Sequence, residues 1–377
     1  MPQTATINPQ AARPKKSATP QNSVTPQKRS TPAERQQAGS FADTKPLAPT
    51  QDARIALAPM EGVVDAGVRQ LISEIGGVDF CVTEFMRVTT ELQPRRAFMR
   101  ICPELLTASQ TPQGTPVHFQ LLGSDPQLLA AHAEKAAALG AQVVDLNFGC
   151  PAKTVNRHKG GAVLLQTPEL IHDIVTACSK ALAATPARLT AKMRLGYEDT
   201  RQAYDNLSAI EEGGATELVV HARTKTDGYK PPAHWQWLDK LRAVSHIPII
   251  GNGEIWSPDD YWRCRDVSGC TDLMLGRGLL ADPYLARRIL DDNPQLPSQA
   301  DLSAALLIYL RRMQLQDYPG KFLLARGKQW LGMIKKGLVP VDSLFDAVKT
   351  CRDAEQMFQL LEQSAAGECH YAHYLPE

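Results

Sequence analysis

The sequence predicts a (β/α)8 TIM barrel followed by a C-terminal helical domain, and three observations lead there. From residue 53 onward, short β-rich apolar runs alternate with helix-like stretches. The repeats number eight and end near residue 290, close to the ~250 residues usual for such a barrel. Beyond residue 300 the helical pattern continues without strands. An open doubly wound sheet is the competing architecture. It calls for Gly-x-Gly-x-x-Gly after the first strand, whereas that strand ends in Pro59-Met60-Glu61-Gly62.

Residues 1–50 hold eight prolines, with Thr-Pro steps at Thr19, Thr25 and Thr31, and too few apolar side chains to offset ordering entropy. They read as a disordered basic tail, inert or an auxiliary RNA-contacting arm. An organelle-targeting peptide is disfavoured because the prolines forbid the amphipathic helix it needs. Strands are expected at Ile55–Met60, Phe80–Phe85, Val117–Gly123, Val143–Cys150, Arg188–Gly196, Glu217–Arg223, Pro248–Glu254 and Asp272–Leu280. Helices between them, such as Pro126–Leu139, Pro168–Leu182 and Gln202–Glu212, open on Asp, Thr or Pro and close on Gly, as helix termini prefer. The barrel is therefore drawn over residues 53–292. The helical domain spans residues 300–377, with helices at Ala304–Leu315, Gly320–Lys336 and Asp342–Glu362.

A 43% hydrophobic content over 377 residues is ample for a core. No apolar run is long enough to cross a bilayer and the N-terminus lacks a secretory signal, so a cytoplasmic protein is expected. The eight cysteines show neither Cys-x-x-Cys spacing nor a paired framework, which argues against a disulfide scaffold and a metal site. Outside the tail, 34 basic residues face 38 acidic ones, so bulk charge does not announce a nucleic-acid partner. Any phosphate-binding surface must be local. Arg311, Arg312, Lys321, Arg326, Lys328, Lys335 and Lys336 form such a cluster, as a solvated helix face or as a phosphate-contacting surface.

In a barrel, catalytic groups come from strand C-termini. Here these are Pro59, Met60 and Glu61; Glu84 and Arg87; Gln120; Asn147 and Cys150; Lys192 and Arg194; His221 and Arg223; Asn252, Gly253 and Glu254; and Gly276, Arg277 and Gly278. Gln120, Asn147, Lys192 and His221 lie within apolar strands, where an unpaired polar group costs several kcal/mol. Cys150 either packs as a small hydrophobe or reacts. The glycines of the last two loops, with Arg277, suit a ligand phosphate. A phosphorylated ligand, a cationic Lys192 and a thiol in one pocket fit flavin mononucleotide, FMN.

Taken together, Ala58-Pro-Met-Glu-Gly62, Gln120-Leu-Leu-Gly123, Asp145-Leu-Asn-Phe-Gly-Cys-Pro151, Lys192-Met-Arg-Leu-Gly196, His221-Ala-Arg-Thr224, Gly251-Asn-Gly-Glu254 and Gly276-Arg-Gly278 resemble the flavin-dependent tRNA-dihydrouridine synthases across the whole barrel. Thr83-Glu-Phe-Met-Arg-Val88, Arg100-Ile-Cys-Pro-Glu104, Gly228-Tyr229 and Lys328-Gln-Trp-Leu331 are similar to the bacterial C subfamily, which acts on the D-loop uridine at tRNA position 16.

The resemblance implies FMN as bound cofactor, NADPH as reductant and tRNA as partner, with Cys150 protonating uracil C5. It implies that Pro59, Met60, Glu61, Gln120, Lys192, His221, Asn252, Gly253, Glu254, Gly276 and Arg277 surround the flavin. Arg87, Asn147 and Tyr229 would meet the substrate, and Arg326 and Lys328 the tRNA backbone. A monomer without metal is expected. Three rivals remain at this point: an FMN barrel acting on a small molecule, such as a dihydroorotate dehydrogenase; a Schiff-base aldolase using Lys192; and a catalytically silent tRNA-binding protein.

Overall fold

The computed structural model describes residues 53–376, so the expected tail at residues 1–50 lies outside the described residues. Strands β1 (Ile55–Leu57), β2 (Phe80–Val82), β3 (Met86–Arg87), β4 (Val117–Leu122), β5 (Val143–Phe148), β6 (Arg188–Arg194), β7 (Leu218–His221), β8 (Ile249–Asn252) and β9 (Leu273–Leu275) pair in parallel. Their order is β2-β1-β9-β8-β7-β6-β5-β4, and β2 returns to β4, which closes the ring. The fold is a TIM barrel with C-terminal helices.

Most expected strands end one to three residues early, the first at Leu57 instead of Met60, and two differ in kind. The second, Phe80–Phe85, is interrupted: Cys81 faces Val117 while Met86 faces Leu121, so this side carries one residue more than β4. Thr83 Oγ1 accepts the Gln120 backbone N–H at 3.0 Å in place of a ladder carbonyl, and the chain bulges before resuming as β3. The eighth expected strand, Asp272–Leu280, stops at Leu275. Its apolar tail is instead a buried helix, Arg277–Ala281, because a short apolar run has no period that separates strand from helix.

Around the ring lie α1 (Ala66–Ile75), α2 (Arg95–Ile101), α3 (Pro126–Ala138), α4 (Lys153–Arg157), α5 (Pro168–Leu182), α6 (Ala203–Glu212), α7 (Trp235–Arg242), α8 (Pro258–Ser268), α9 (Arg277–Ala281) and α10 (Leu285–Leu290). Asp65, Asp125 and Ser257 cap α1, α3 and α8 by accepting backbone N–H bonds. Apolar faces such as Ile171, Ile174 and Val175 are sealed against the strands, each worth about 1.5–3 kcal/mol of burial. Inside the ring, Ala56, Ala58, Phe80, Val82, Val219, Ile250 and Met274 form a separate cluster that plugs the barrel. At the strand N-termini, Arg54 pairs with Glu217 and Asp272, and Asp79 accepts the Ile55 N–H at 2.6 Å.

Helices α11 (Gln299–Leu315), α12 (Gly320–Ile334), α13 (Asp342–Thr350) and α14 (Ala354–Ala365) follow. The single helix expected at Asp342–Glu362 is two, because Asp353 caps a new start by accepting the Gln356 N–H at 2.9 Å. Leu302, Leu306, Leu310, Leu323 and Trp330 join the same hydrophobic cluster as the outer barrel face. Trp330 Nε1 donates to the Leu280 carbonyl at 2.9 Å, tying α12 to α9 beside the last barrel strand. Among the described residues no helix is long and apolar enough to cross a membrane.

Candidate active site at the barrel mouth

A cavity of about 610 Å³ opens at the C-terminal ends of the strands, where a barrel's loops converge. Of the residues singled out in the sequence, Pro59, Met60, Glu61, Gln120, Asn147, Cys150, Lys192, His221, Tyr229, Asn252, Gly253, Glu254, Gly276 and Arg277 line it. Phe85, Trp256 and Met333, which the sequence does not single out as site residues, also do, as does Lys336 from the basic cluster. Trp256 follows Glu254 by two positions and was within reach of the loop motif. Met333 belongs to α12 and Lys336 follows it, and no local pattern connects either to the barrel. Arg87, Arg326 and Lys328 are not among the cavity walls.

The thiol is held from both sides. Asn147 Oδ1 accepts the backbone N–H groups of Gly149 and Cys150, both at 2.9 Å. The Cys150 carbonyl accepts from Asn156 Nδ2 at 2.9 Å and from the Ala162 N–H at 3.0 Å. Gly161 makes this turn possible: its φ is +68°, and a Cβ there would lie 2.8 Å from the Cys150 oxygen. Burial pushes the Cys150 thiol up from its ordinary value, the Ala152 N–H opposes, and Glu61 adds repulsion against Arg194 and Arg87. The thiol therefore keeps its proton more firmly at neutral pH than a free cysteine does. Burial, helped by Glu84, also raises the Glu61 carboxyl to about 7.

The neighbouring wall, beginning on β6 where Lys192 pairs with Asn147, is cationic. Lys192 Nζ donates to Asn252 Oδ1 at 2.9 Å, and Asn252 Nδ2 donates to the Met274 carbonyl at 2.7 Å, so β8 and β9 aim the lysine. Burial lowers Lys192 to about 7, with Arg194 adding repulsion. Asp145, beneath it, pulls the other way, so the full cation expected from sequence needs a further anion beside it. Burial, then Arg194, Lys192, Arg223 and Arg277, holds His221 well below its ordinary value, so the imidazole is neutral. Arg223 pairs with Glu254 and donates to the Lys230 carbonyl at 2.7 Å. Arg194 donates to the carbonyls of Gly149, Thr224 and Gly228 at 2.8–3.0 Å and lies 5.1 Å from the Tyr229 ring, knitting the cysteine turn to the loop after β7. Arg277 lies 4.9 Å from the same ring.

Lys192, Arg194, Arg223, Arg277 and Lys336 face only Glu61 and Glu254 across this cavity. Such a wall selects an anion. At Gly276 an added Cβ would meet Ala58 Cβ at 3.6 Å and Met60 Sδ at 3.9 Å, filling a slot between β1 and β9. A phosphate-bearing flat ligand such as FMN fits that slot and that charge.

Arg326 and Lys328, expected on the tRNA backbone, are engaged internally. Arg326 donates to Gly62 O, Val63 O, Asp65 Oδ2 and Tyr309 Oη at 2.5–2.9 Å, and Lys328 Nζ donates to the Cys351 carbonyl at 2.6 Å.

Fold and site together define an anion-binding barrel enzyme with a thiol at its mouth. The family model of dihydrouridine synthases (Dus) matches residues 56–360, and the chain belongs to that family. The tRNA-dihydrouridine(16) synthase of Aquipseudomonas alcaligenes is 48% identical over 315 residues, covering 82% of this chain and 99% of that one. That of Ralstonia nicotianae is 46% identical over 323 residues, covering 83% and 97%. Among solved structures, histamine dehydrogenase from Rhizobium sp. 4-9 aligns with a TM-score of 0.49 at 15% identity, over 68% of this chain and 48% of that one. A likeness of that size carries no functional weight.

Proposed function

We propose that the protein is a flavin-dependent tRNA-dihydrouridine synthase that saturates the C5–C6 bond of the D-loop uridine at position 16, with NADPH as reductant. The observation that carries this reading is that Cys150 shares the cavity at the barrel mouth with an anion-selecting set of Lys192, Arg277 and neutral His221. Both named relatives, matched over nearly their whole length, are tRNA-dihydrouridine(16) synthases, which favours tRNA over a small-molecule substrate.

FMN, held by Pro59, Met60, Glu61, Gln120, Lys192, His221, Asn252, Gly253, Glu254, Gly276 and Arg277, would supply the hydride for C6 and be recharged by NADPH. Lys192 turns fully cationic beside an anionic ligand and stabilises it. Cys150, kept protonated by burial, gives its proton to C5. Arg87, Asn147 and Tyr229 contact the base, which must leave its stack to enter the mouth at a cost of a few kcal/mol. Arg326 and Lys328 contact the tRNA backbone by exchanging an internal hydrogen bond for a phosphate, which keeps their share small.

Incubating the yellow holoprotein with NADPH and unmodified tRNA, then mapping dihydrouridine by reverse-transcription stops or mass spectrometry, tests the reading. Conversion at position 16 is expected. Reduction of free pyrimidines with tRNA untouched, or a protein that refuses flavin, overturns it.

A further inference from the structure

Beneath the cysteine turn lies a charged group that the mechanism above does not use. Asp145, on β5, is 2% exposed and faces the barrel interior one layer below Asn147. Its Oδ1 accepts from Thr190 Oγ1 at 2.7 Å and its Oδ2 accepts from Gln120 Nε2 at 2.7 Å. Gln120 Oε1 in turn accepts from Asn147 Nδ2 at 2.8 Å, and Asn147 Oδ1 accepts the N–H groups of Gly149 and Cys150.

The polarity of this chain is set at its two ends. A carboxylate only accepts, so the Gln120 amide must present its NH2 downward to Asp145 and its oxygen upward. That oxygen requires the Asn147 NH2, which leaves the Asn147 oxygen for the two backbone donors of the turn. Were Gln120 to rotate by half a turn, its NH2 would face the Asn147 NH2. Asn147 would then either lose that bond or rotate too, setting donor against donor at Cys150. Asp145 is thus the group that forbids the wrong amide orientation two side chains away from the thiol.

We propose that Asp145 is a positioning residue for the proton-donating step: through Gln120 and Asn147 it fixes the backbone amides that hold Cys150 over the substrate base. The inference rests on the reading of Cys150 as the acid. It goes beyond that reading by naming the residue that sets the turn and the direction in which each amide points.

The test uses holoprotein and separates the two halves of the turnover. Flavin bleaching by NADPH without tRNA reads the first, and single-turnover dihydrouridine formation from pre-reduced protein reads the second. In flavin-saturated Asp145→Ala the transfer half is expected to fall at least about tenfold, while bleaching changes by less than about threefold, the smaller loss arising because Gln120 and Lys192 also border the flavin. Asp145→Asn is expected to recover transfer to within about threefold, because its oxygen still meets Gln120 when the Thr190 hydroxyl turns to accept its NH2. Thr190→Val keeps the volume and loosens the carboxylate, so it should show the same split, several-fold, if the alanine variant does not fold.

Equal loss in both halves, or unchanged transfer in folded Asp145→Ala, overturns the proposal. An asparagine variant as poor as the alanine one also overturns it, in favour of a purely electrostatic action on Lys192. Failure of the wild type itself to form dihydrouridine would strike the functional reading instead, so the two are told apart.

Discussion

The two ends of the barrel hold the same kinds of side chain to opposite purposes. At the N-terminal end, Arg54 is bonded to two carboxylates, Glu217 and Asp272, and Asp79 is tied to the Ile55 N–H. At the C-terminal end, five cations meet two carboxylates across about 610 Å³ of open space, and burial has driven Lys192 to about 7. In the first arrangement the one cation is hydrogen-bonded to both of its carboxylates, and the free energy goes into stability. The second is deliberately incomplete, since a buried cation such as Lys192 costs stability until an anionic ligand arrives. A buried charge bordering open space, more than the presence of charge, separates the working end from the structural end.

The largest effect that would sharpen this contrast belongs to the thiol. Cys150→Ala should keep its flavin and melting temperature yet lose about 10²–10⁴-fold in dihydrouridine formation, the usual share of a positioned acid. Full activity in that variant, read in the tRNA assay, would remove the acid role and leave the working end without a proton donor. Arg54→Ala should do the reverse. It strands Glu217, whose side chain is 5% exposed, and should cost about 2–3 kcal/mol in a denaturant titration while the activity of the folded fraction stays unchanged.

Much of this was legible in the chain because it is local. Alternating apolar runs ending in Pro59-Met60-Glu61, Asn147 to Cys150 or Asn252-Gly253-Glu254 announce both a strand and what stands at its end, since a parallel barrel brings every strand C-terminus to one rim. Features that depend on tertiary register were not legible. The bulge before Met86 exists because the Thr83 hydroxyl takes the Gln120 N–H, a partner on the neighbouring strand. Met333 and Lys336 reach the cavity only because Trp330 ties α12 to α9. The basic cluster of α12 reads as a solvated or phosphate-seeking face, yet Arg326 points inward to the Gly62 loop. Burial moves the Cys150, Lys192 and Glu61 equilibria away from their ordinary values, and no motif reports burial.

The Lys192 equilibrium yields a pH test of the same contrast. Its value is lowered to about 7 from 10.5, so between those limits the ligand-free folded chain binds fewer protons here than the unfolded chain. This group's penalty is full below pH 7 and is relieved as pH rises toward 10.5, so its contribution stabilises the apoprotein with rising pH. Binding an anionic flavin needs the protonated amine, so FMN affinity should move the other way, falling up to about tenfold per pH unit above 7. Flavin-fluorescence titrations at pH 6.5, 7.5 and 8.5 check it, with Lys192→Met, weaker throughout, as the flat control. A wild-type affinity equally flat with pH would mean that the amine is not charged against the ligand.

The smallest expected effect concerns the helices. Arg326 spends its donors on Gly62 O, Val63 O, Asp65 and Tyr309, so Arg326→Ala removes a strut from the Pro59-Met60-Glu61 segment as well as a cation from the surface. Lys328 makes one bond, to the Cys351 carbonyl, and its removal should disturb little else. Were both simple phosphate contacts, each alanine variant would weaken tRNA binding alike and shallow the salt dependence by about one unit of slope. The internal bonds predict a split instead: Arg326→Ala should lower FMN affinity a few-fold and melting temperature by a few degrees, roughly 1 kcal/mol. Lys328→Ala should change only tRNA affinity, by a few-fold at low salt and less at high salt. If both variants bind flavin like the wild type and differ from it only in salt-dependent tRNA affinity, Arg326 belongs to the RNA-facing surface, and its contacts to the Gly62 loop do not hold the working end in place.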